Sequence, residues 1–121
     1  MNKNWKYNEF SQVGIDYSKI DNVSEYDAKM NNIRNIENEI NQIKELINLK
    51  NKDLLEIGTG TGKLVVEIAD LSNRVYAIDV SQTMIKFARE RADKQKIDNI
   101  HFYQDGFLSY EHKGKPLDVI I

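Results

Sequence analysis

Short apolar segments alternate with helical segments from residue 53 onward, and this pattern predicts an α/β fold with a doubly wound, mostly parallel sheet. DLLEIG precedes a helix from about Lys63, RVYAID precedes a helix capped by Ser81, and IHFYQ and LDVII follow. The near-continuous apolar character of LLEI and VYAI is typical of strands covered on both faces. We therefore expect four strands, with helices in the first two connections.

The N-terminal part divides into two segments. Between Ala28 and Leu49, isoleucines fall at positions 33, 36, 40, 43 and 47, which places them on one face of a helix. We interpret this helix as packing against its own sheet; the alternative is a dimerising coiled-coil seam, but the repeat lasts only about two heptads. Residues 1–27 carry aromatic side chains without a sustained period. They are predicted to form an arm or lid before a domain spanning 28–121.

The composition limits the classes of function. The chain has 121 residues, 40% of them hydrophobic and 30% charged, as expected of one packed domain. A formal net charge of -2 argues against nucleic-acid or membrane-surface partners. With no cysteine, the chain has no disulfide, thiolate nucleophile or cysteine zinc site, and two histidines are too few to suggest a metal cluster. Lacking an apolar signal sequence at its start, the protein is expected in the cytoplasm.

Three glycines between the first strand and its helix predict a ligand site. Gly58, Gly60 and Gly62 allow a sharp turn and a close approach of ligand to backbone. In the dinucleotide-binding pattern G-x-G-x-x-G, Lys63 would stand where the third glycine belongs. A P-loop needs four residues between its glycines and Ser or Thr after Lys, whereas here there are three residues and Leu64. Both phosphate-binding patterns therefore fail at a specific position.

Glu56 favours a ligand of positive charge. It lies two residues before the first glycine, so its carboxylate is predicted near the ligand end of the strand. At about 5 Å and an effective dielectric near 20, two unit charges interact by roughly 3 kcal/mol, enough to repel pyrophosphate. The alternative is that Glu56 pairs with an arginine or caps a turn.

The pattern E-x-G-x-G-x-G after an apolar strand resembles motif I of class I S-adenosylmethionine-dependent methyltransferases, and SQTMIKFARE resembles their second helix. The resemblance covers about residues 26–121. It implies a Rossmann-like sheet of order 3-2-1-4 with an N-terminal helical lid. It also implies S-adenosylmethionine as cofactor, whose ammonium and sulfonium groups suit a nearby acid, and S-adenosylhomocysteine as product. The turn residues implied to bind it are Glu56, Gly58, Thr59, Gly60 and Gly62.

Acids at the ends of the next two strands extend the implied site. Asp79 stands where doubly wound nucleotide-binding folds place an acid that accepts from both ribose hydroxyls; its alternative role is a charge at a helix N-terminus. Asp105 is implied to receive the adenine amino group while the next backbone N–H meets the ring, and its alternative is an Asx turn with Gly106. Further residues implied at the adenosyl group are Val80, Met84, Gly106 and Phe107, although Met84 has the spacing of a core residue.

The resemblance implies methyl transfer to an O, N, C or S atom of a small-molecule acceptor. Because the family's sheet has seven strands and the chain stops in the fourth, the acceptor pocket and any catalytic residue are not identified. A lid residue, Tyr17 or Tyr26, is a candidate for reaching the methionine end of the cofactor. The alternatives are an NAD(P)-binding oxidoreductase domain, supported by Asp79, and a non-catalytic S-adenosylmethionine-binding domain.

The segment LDVII is expected to leave an apolar strand at the edge of the sheet. We therefore expect either a homo-oligomer that forms through this edge or a piece of a longer protein.

Overall fold

The computed structural model describes residues 35–121, together with the helical residues Glu25, Ala28 and Lys29. Except for Glu25, the predicted N-terminal lid lies outside the described residues, and so do Tyr17, Tyr26 and Ile33. Three helices and four strands follow in order: α1 (Ile36–Leu46), β1 (Asp53–Ile57), α2 (Lys63–Leu71), β2 (Arg74–Asp79), α3 (Gln82–Lys94), β3 (Ile100–Gln104) and β4 (Val119–Ile120).

All four strands pair in parallel, in the order β3-β2-β1-β4, which confirms the predicted strand order. The direction of strand addition reverses at β1, since β2 lies on one side of it and β4 on the other. In β/α folds such a switch point opens a crevice outside the carboxyl ends of the strands. The glycine turn follows β1 directly, so the fold places it at this crevice.

Strand β4 is shorter than the predicted LDVII, but its hydrogen bonding to β1 extends beyond its ends. Asp118 N donates to Asp53 O at 2.8 Å, and Ile57 N donates to Ile121 O at 3.0 Å. The register pairs Leu54 with Val119. This pairing keeps β1 in the interior of the sheet, with β2 and β4 on either side.

The main core lies on one face of the sheet, under all three helices. Side chains of α2 and α3 cover alternate residues of the strands, among them Leu54, Val75 and Phe102. Helix α1 adds its isoleucine face, which is partly buried against the same core together with Ile47 just after the helix: Ile36, Ile40 and Ile43. The interpretation of this segment as a helix laid against its own sheet is therefore confirmed.

Helix α1 is shorter than the predicted segment. Its N-cap is Asn35, whose side chain accepts from Asn38 N at 3.0 Å. It ends at Leu46 because Ile47 adopts an extended conformation.

The opposite face carries a smaller cluster. Leu55, Tyr76 and Ile78 are buried there, with Tyr110 and Leu117 of the segment 105–118 packed against them. In the described part of the chain, the segment 105–118 therefore covers part of this face of the sheet, although it forms no helix. None of the described helices is long and apolar enough to cross a membrane.

Candidate functional site

The glycine turn has a backbone that only glycine adopts readily. Gly58, Gly60 and Gly62 have φ angles of +73°, +58° and +85°. Gly58 N and Thr59 N both donate to Ile78 O at 2.9 Å, so the turn is fastened to the end of β2. A Cβ atom on Gly58 or Gly60 would meet nothing within 4 Å. The space beside these two residues is open, as a ligand that approaches the backbone requires.

Gly62 has a different role from the other two glycines. It is buried and forms the N-cap of α2, and a Cβ atom added to it would lie 2.9 Å from Ala88 Cβ on α3. This contact is shorter than side-chain carbons allow, so the close packing of the turn against α3 requires glycine. The packing accounts for Gly62 without a cofactor contact.

Asp79 joins the turn to the end of β2. One carboxylate oxygen, Oδ2, accepts from Gly60 N at 2.9 Å, and Oδ1 accepts from Ser81 N at 2.9 Å. Burial raises the pKa of Asp79 above its ordinary value of 3.8, while the hydrogen bonds from Ser81 and Gly60 oppose the rise. Because each oxygen of a carboxylate can accept about two hydrogen bonds, both can still accept a further donor.

Two polar side chains are buried beside the turn. Glu56 is 6% exposed and lies on the same face of β1 as Leu54, and Thr59 is 4% exposed. Thr59 Oγ1 has no hydrogen-bond partner among the described residues. A buried hydroxyl is costly to leave unsatisfied. The turn therefore offers a polar group suited to a polar ligand.

Asp105 follows β3 directly and is hydrogen-bonded to the last residue of β2. Asp105 N donates to Asp79 O at 3.0 Å, which brings the two acidic residues to one edge of the sheet. The carboxylate oxygen Oδ1 accepts from the Ser109 hydroxyl and from Gly106 N at 3.2 Å. Gly106 N also donates to Ser109 Oγ at 3.0 Å. Asp105 thus bonds locally to Gly106 and Ser109, but the bond to the N–H of the next residue is not that of an Asx turn, which reaches two residues on.

The remaining predicted contacts are spread over two elements. Val80 is half-buried, and its carbonyl accepts from Gln104 Nε2 at 3.1 Å. Met84 is 3% exposed in the first turn of α3, as the alternative of a core residue requires. Phe107, on the turn after Asp105, is 71% exposed.

Sequence reasoning missed several side chains that shape the site. Arg91 Nε donates to Thr61 O at 2.9 Å and holds the glycine turn from α3, and no spacing pattern signals a contact across 30 residues. The Gln104 side chain likewise makes a contact distant in sequence, since its Nε2 donates to the carbonyl of Val80. Ser109 could have been found, because serine side chains commonly hydrogen-bond to backbone groups three or four residues earlier in the chain.

A cavity of about 510 Å³ lies outside the glycine turn, between the second face of the sheet and the segment 105–118. Tyr76, His101 and Tyr110 line it, and Asp105 and Ser109 form part of its border. Among the described residues, no three histidine or acidic side chains are grouped so as to hold a metal ion.

A family model described as a methyltransferase domain matches residues 48–121, which include all four strands and the glycine turn. The chain belongs to the methyltransferase domain family. The predicted resemblance to class I S-adenosylmethionine-dependent methyltransferases is therefore confirmed, and neither the family nor the relatives named below support the oxidoreductase alternative.

Curated relatives of this methyltransferase domain share its central part. A protein-L-isoaspartate O-methyltransferase of Vibrio campbellii is 35% identical over 79 residues, covering 64% of this chain and 38% of the relative. A release factor glutamine methyltransferase of Flavobacterium psychrophilum is 34% identical over 79 residues, covering 64% of this chain and 27% of the relative. The chain thus spans well under half the length of these relatives.

Solved methyltransferase structures share the fold of this domain. A SAM-dependent methyltransferase from Aquifex aeolicus superposes with a TM-score of 0.70 at 22% identity, covering 88% of this chain and 56% of that chain. At this identity the likeness establishes the architecture, including the parallel sheet of order 3-2-1-4.

Proposed function

We propose that the chain binds S-adenosylmethionine and forms the cofactor-binding part of a methyltransferase. The observation that carries the proposal is the open glycine turn fastened to Asp79: a Cβ atom at Gly60 would meet no protein atom within 4 Å, while its N–H is held by the carboxylate at the end of β2. The hydrogen bond therefore holds the glycine turn and the Asp79 carboxylate in fixed positions beside the open space. Such preorganisation lowers the entropic cost of binding a ligand.

The charges and acceptors of the site match this cofactor. Glu56 and Asp79 concentrate negative charge beside the turn, which favours an ammonium and a sulfonium over a pyrophosphate. The two oxygens of Asp79 suit two vicinal hydroxyl donors. When bound, the cofactor supplies a methyl group already activated by the positive charge on sulfur. The described residues bind and orient it, and none of them is assigned as a general base.

The identity of the methyl acceptor stays a prediction. A small molecule is expected from the resemblance, whereas the relatives described above are named for glutamine and L-isoaspartate methylation. A cytoplasmic location is likewise a prediction that rests on the sequence alone.

Titration calorimetry with S-adenosylhomocysteine and with NAD tests the cofactor. We expect binding of the first and none of the second. Asp79→Asn should weaken binding by about tenfold or more, because an amide exposes a donor where two hydroxyl donors need acceptors. Asp70→Asn makes the same change at an exposed position of α2 and should leave the affinity unchanged.

Two outcomes would count against the proposal: preferential binding of NAD, or no binding of S-adenosylhomocysteine by a folded protein. Binding without turnover over a broad panel of acceptors would instead favour a non-catalytic cofactor-binding domain.

A further inference from the structure

The Ser109 hydroxyl both donates and accepts hydrogen bonds at the end of β3. It donates to Asp105 Oδ1 and, at 3.5 Å, to Gly106 O, and it accepts from Gly106 N at 3.0 Å. A carboxylate acceptor beside a backbone N–H donor is the complement of one edge of adenine, whose amino group donates and whose neighbouring ring nitrogen accepts. The serine hydroxyl therefore satisfies the same pair of groups that would recognise this base.

We propose that Ser109 is an affinity- and specificity-determining residue, whose hydroxyl competes with the adenine edge for the Gly106 N–H. The inference rests on the proposed function, because it requires an adenosyl ligand at this end of the sheet. It adds a residue that the resemblance to methyltransferases does not imply.

Hydrogen-bond capacity at this turn makes the two partners exclusive. The Gly106 N–H is already divided between Asp105 Oδ1 at 3.2 Å and Ser109 Oγ at 3.0 Å, and one N–H cannot make a good bond to a third acceptor. Asp105 Oδ1 accepts from both Ser109 and Gly106, which uses its two lone-pair directions, so an adenine amino group would be accepted by Oδ2 and the competition falls on the Gly106 N–H. An adenine ring that takes the N–H must therefore displace the serine hydroxyl.

The turn itself does not depend on the hydroxyl. Ser109 N donates to Gly106 O at 3.2 Å, and Tyr110 N donates to the same oxygen at 2.9 Å. Ser109 is also exposed. Removing the hydroxyl should thus take away the nearer of the two acceptors of the Gly106 N–H without loss of the turn. The change in affinity then measures the competition alone.

The test is the affinity of wild-type protein and two variants for two ligands, measured by titration calorimetry. The ligands are S-adenosylhomocysteine and S-inosylhomocysteine, whose base presents an acceptor and a donor in the reverse order and cannot use the same pair. Ser109→Ala should bind S-adenosylhomocysteine about two- to tenfold more tightly, the range of one net hydrogen bond. Its affinity for the inosyl ligand should be unchanged, so discrimination between the two bases rises.

Ser109→Thr is the matched control, because it keeps a hydroxyl at the same position and should behave as the wild type. An alanine variant that binds S-adenosylhomocysteine equally or more weakly would overturn the competition, as would equal tightening for both ligands. If wild-type protein binds S-adenosylhomocysteine but the alanine variant gives either of these results, the inference about Ser109 is wrong and the proposed function stands. If wild-type protein binds neither ligand, the proposed function fails with the inference.

Discussion

Gly58, Gly60 and Gly62 all have left-handed backbone, but the structure requires glycine at them for different reasons. At Gly58 and Gly60 a side chain would strain the backbone and project into open space beside the turn. At Gly62 it would also collide with Ala88 on α3. The first two positions therefore bear on ligand binding, and the third bears on stability.

Gly62→Ala should lower the free energy of unfolding by roughly 3 kcal/mol, from left-handed strain of about 1–2 kcal/mol and overpacking of about 1–3 kcal/mol. Gly58→Ala is the control, since it introduces the same strain without the collision and should cost only about 1–2 kcal/mol. Chemical denaturation of both variants measures the difference. Equal losses would show that Ala88 does not restrict the turn.

Asp79 should affect stability in the direction opposite to a salt-bridged acid. Burial raises its pKa in the folded protein, so the folded state holds the proton more tightly than the unfolded state. Its contribution is thus fully present below the unfolded pKa and is lost as the pH rises through the higher, folded pKa. As the pH rises through the ordinary pKa of 3.8 and then through the higher pKa of the folded state, the stability of wild-type protein relative to Asp79→Asn should fall. A relative stability that rises with pH would contradict this assignment.

At the scale of elements, side chains supply hydrogen-bond partners for the backbone N–H and C=O groups that helices leave unpaired at their ends. Ser81 caps α3, and its Oγ accepts from Met84 N at 3.2 Å. The carboxyl end of α2 is closed from a distance: Asn99, just before β3, donates its amide to Ala69 O at 2.7 Å and to Asn73 O at 3.1 Å. Terminal carbonyls of a helix need such partners, so Asn99 ties α2 to the start of β3.

Asn99→Ala should lower the free energy of unfolding by about 0.5–1.5 kcal/mol, the range of one net hydrogen bond, because the carbonyls of Ala69 and Asn73 lose their bonds from Asn99 while Ala69 O keeps its bond from Ser72 N at 3.2 Å. Asn48→Ala is a matched control. The Asn48 side chain is exposed and accepts only a local bond from Lys50 N at 3.1 Å, and its loss should cost less than about 0.5 kcal/mol. Thermal or chemical denaturation compares the two. Similar effects would mean that the long-range contact adds nothing to the helix end.

At the scale of the whole molecule, the two faces of the sheet are covered unequally in the described part of the chain. Three helices pack on one face, and the segment 105–118 covers part of the other. Strand β4 lies at one edge of the described sheet, where Ile120 is 62% exposed and Ile121 38%. Exposed apolar edge strands favour pairing with another chain.

Two expectations apply to this edge: a homo-oligomer that forms through β4, or a longer protein whose further residues cover it. For residues 1–121 alone, we expect light scattering after size-exclusion chromatography to show a dimer or larger assembly. Ile120→Lys should shift the protein towards monomer, since lysine on an edge strand opposes strand pairing. Leu46→Lys changes a residue that is 86% exposed at the end of α1 and should leave the assembly unchanged. A wild-type monomer at every concentration would contradict the prediction.

The sequence by itself determined most element positions and the ligand edge of the sheet, whereas the strand order and the cofactor were implied by the resemblance to class I methyltransferases. Alternating apolar segments set the strands, because a buried parallel strand needs side chains that are apolar on both faces. Ser81 marked the start of α3, and three glycines with Glu56 and Asp79 marked the ligand edge. These features are local in the chain, so periodicity and turn chemistry are sufficient to find them.

Only the tertiary structure decided how the site is held together. Gly60 meets Asp79, Arg91 meets Thr61, and Ala88 leaves room for only a glycine at position 62, all through contacts between separate elements. Asp105 lies at the same edge as Asp79 because its backbone N–H donates to Asp79 O across the ends of β3 and β2. Hydrogen bonds and packing between distant residues depend on distances of a few tenths of an ångström, which sequence spacing does not contain.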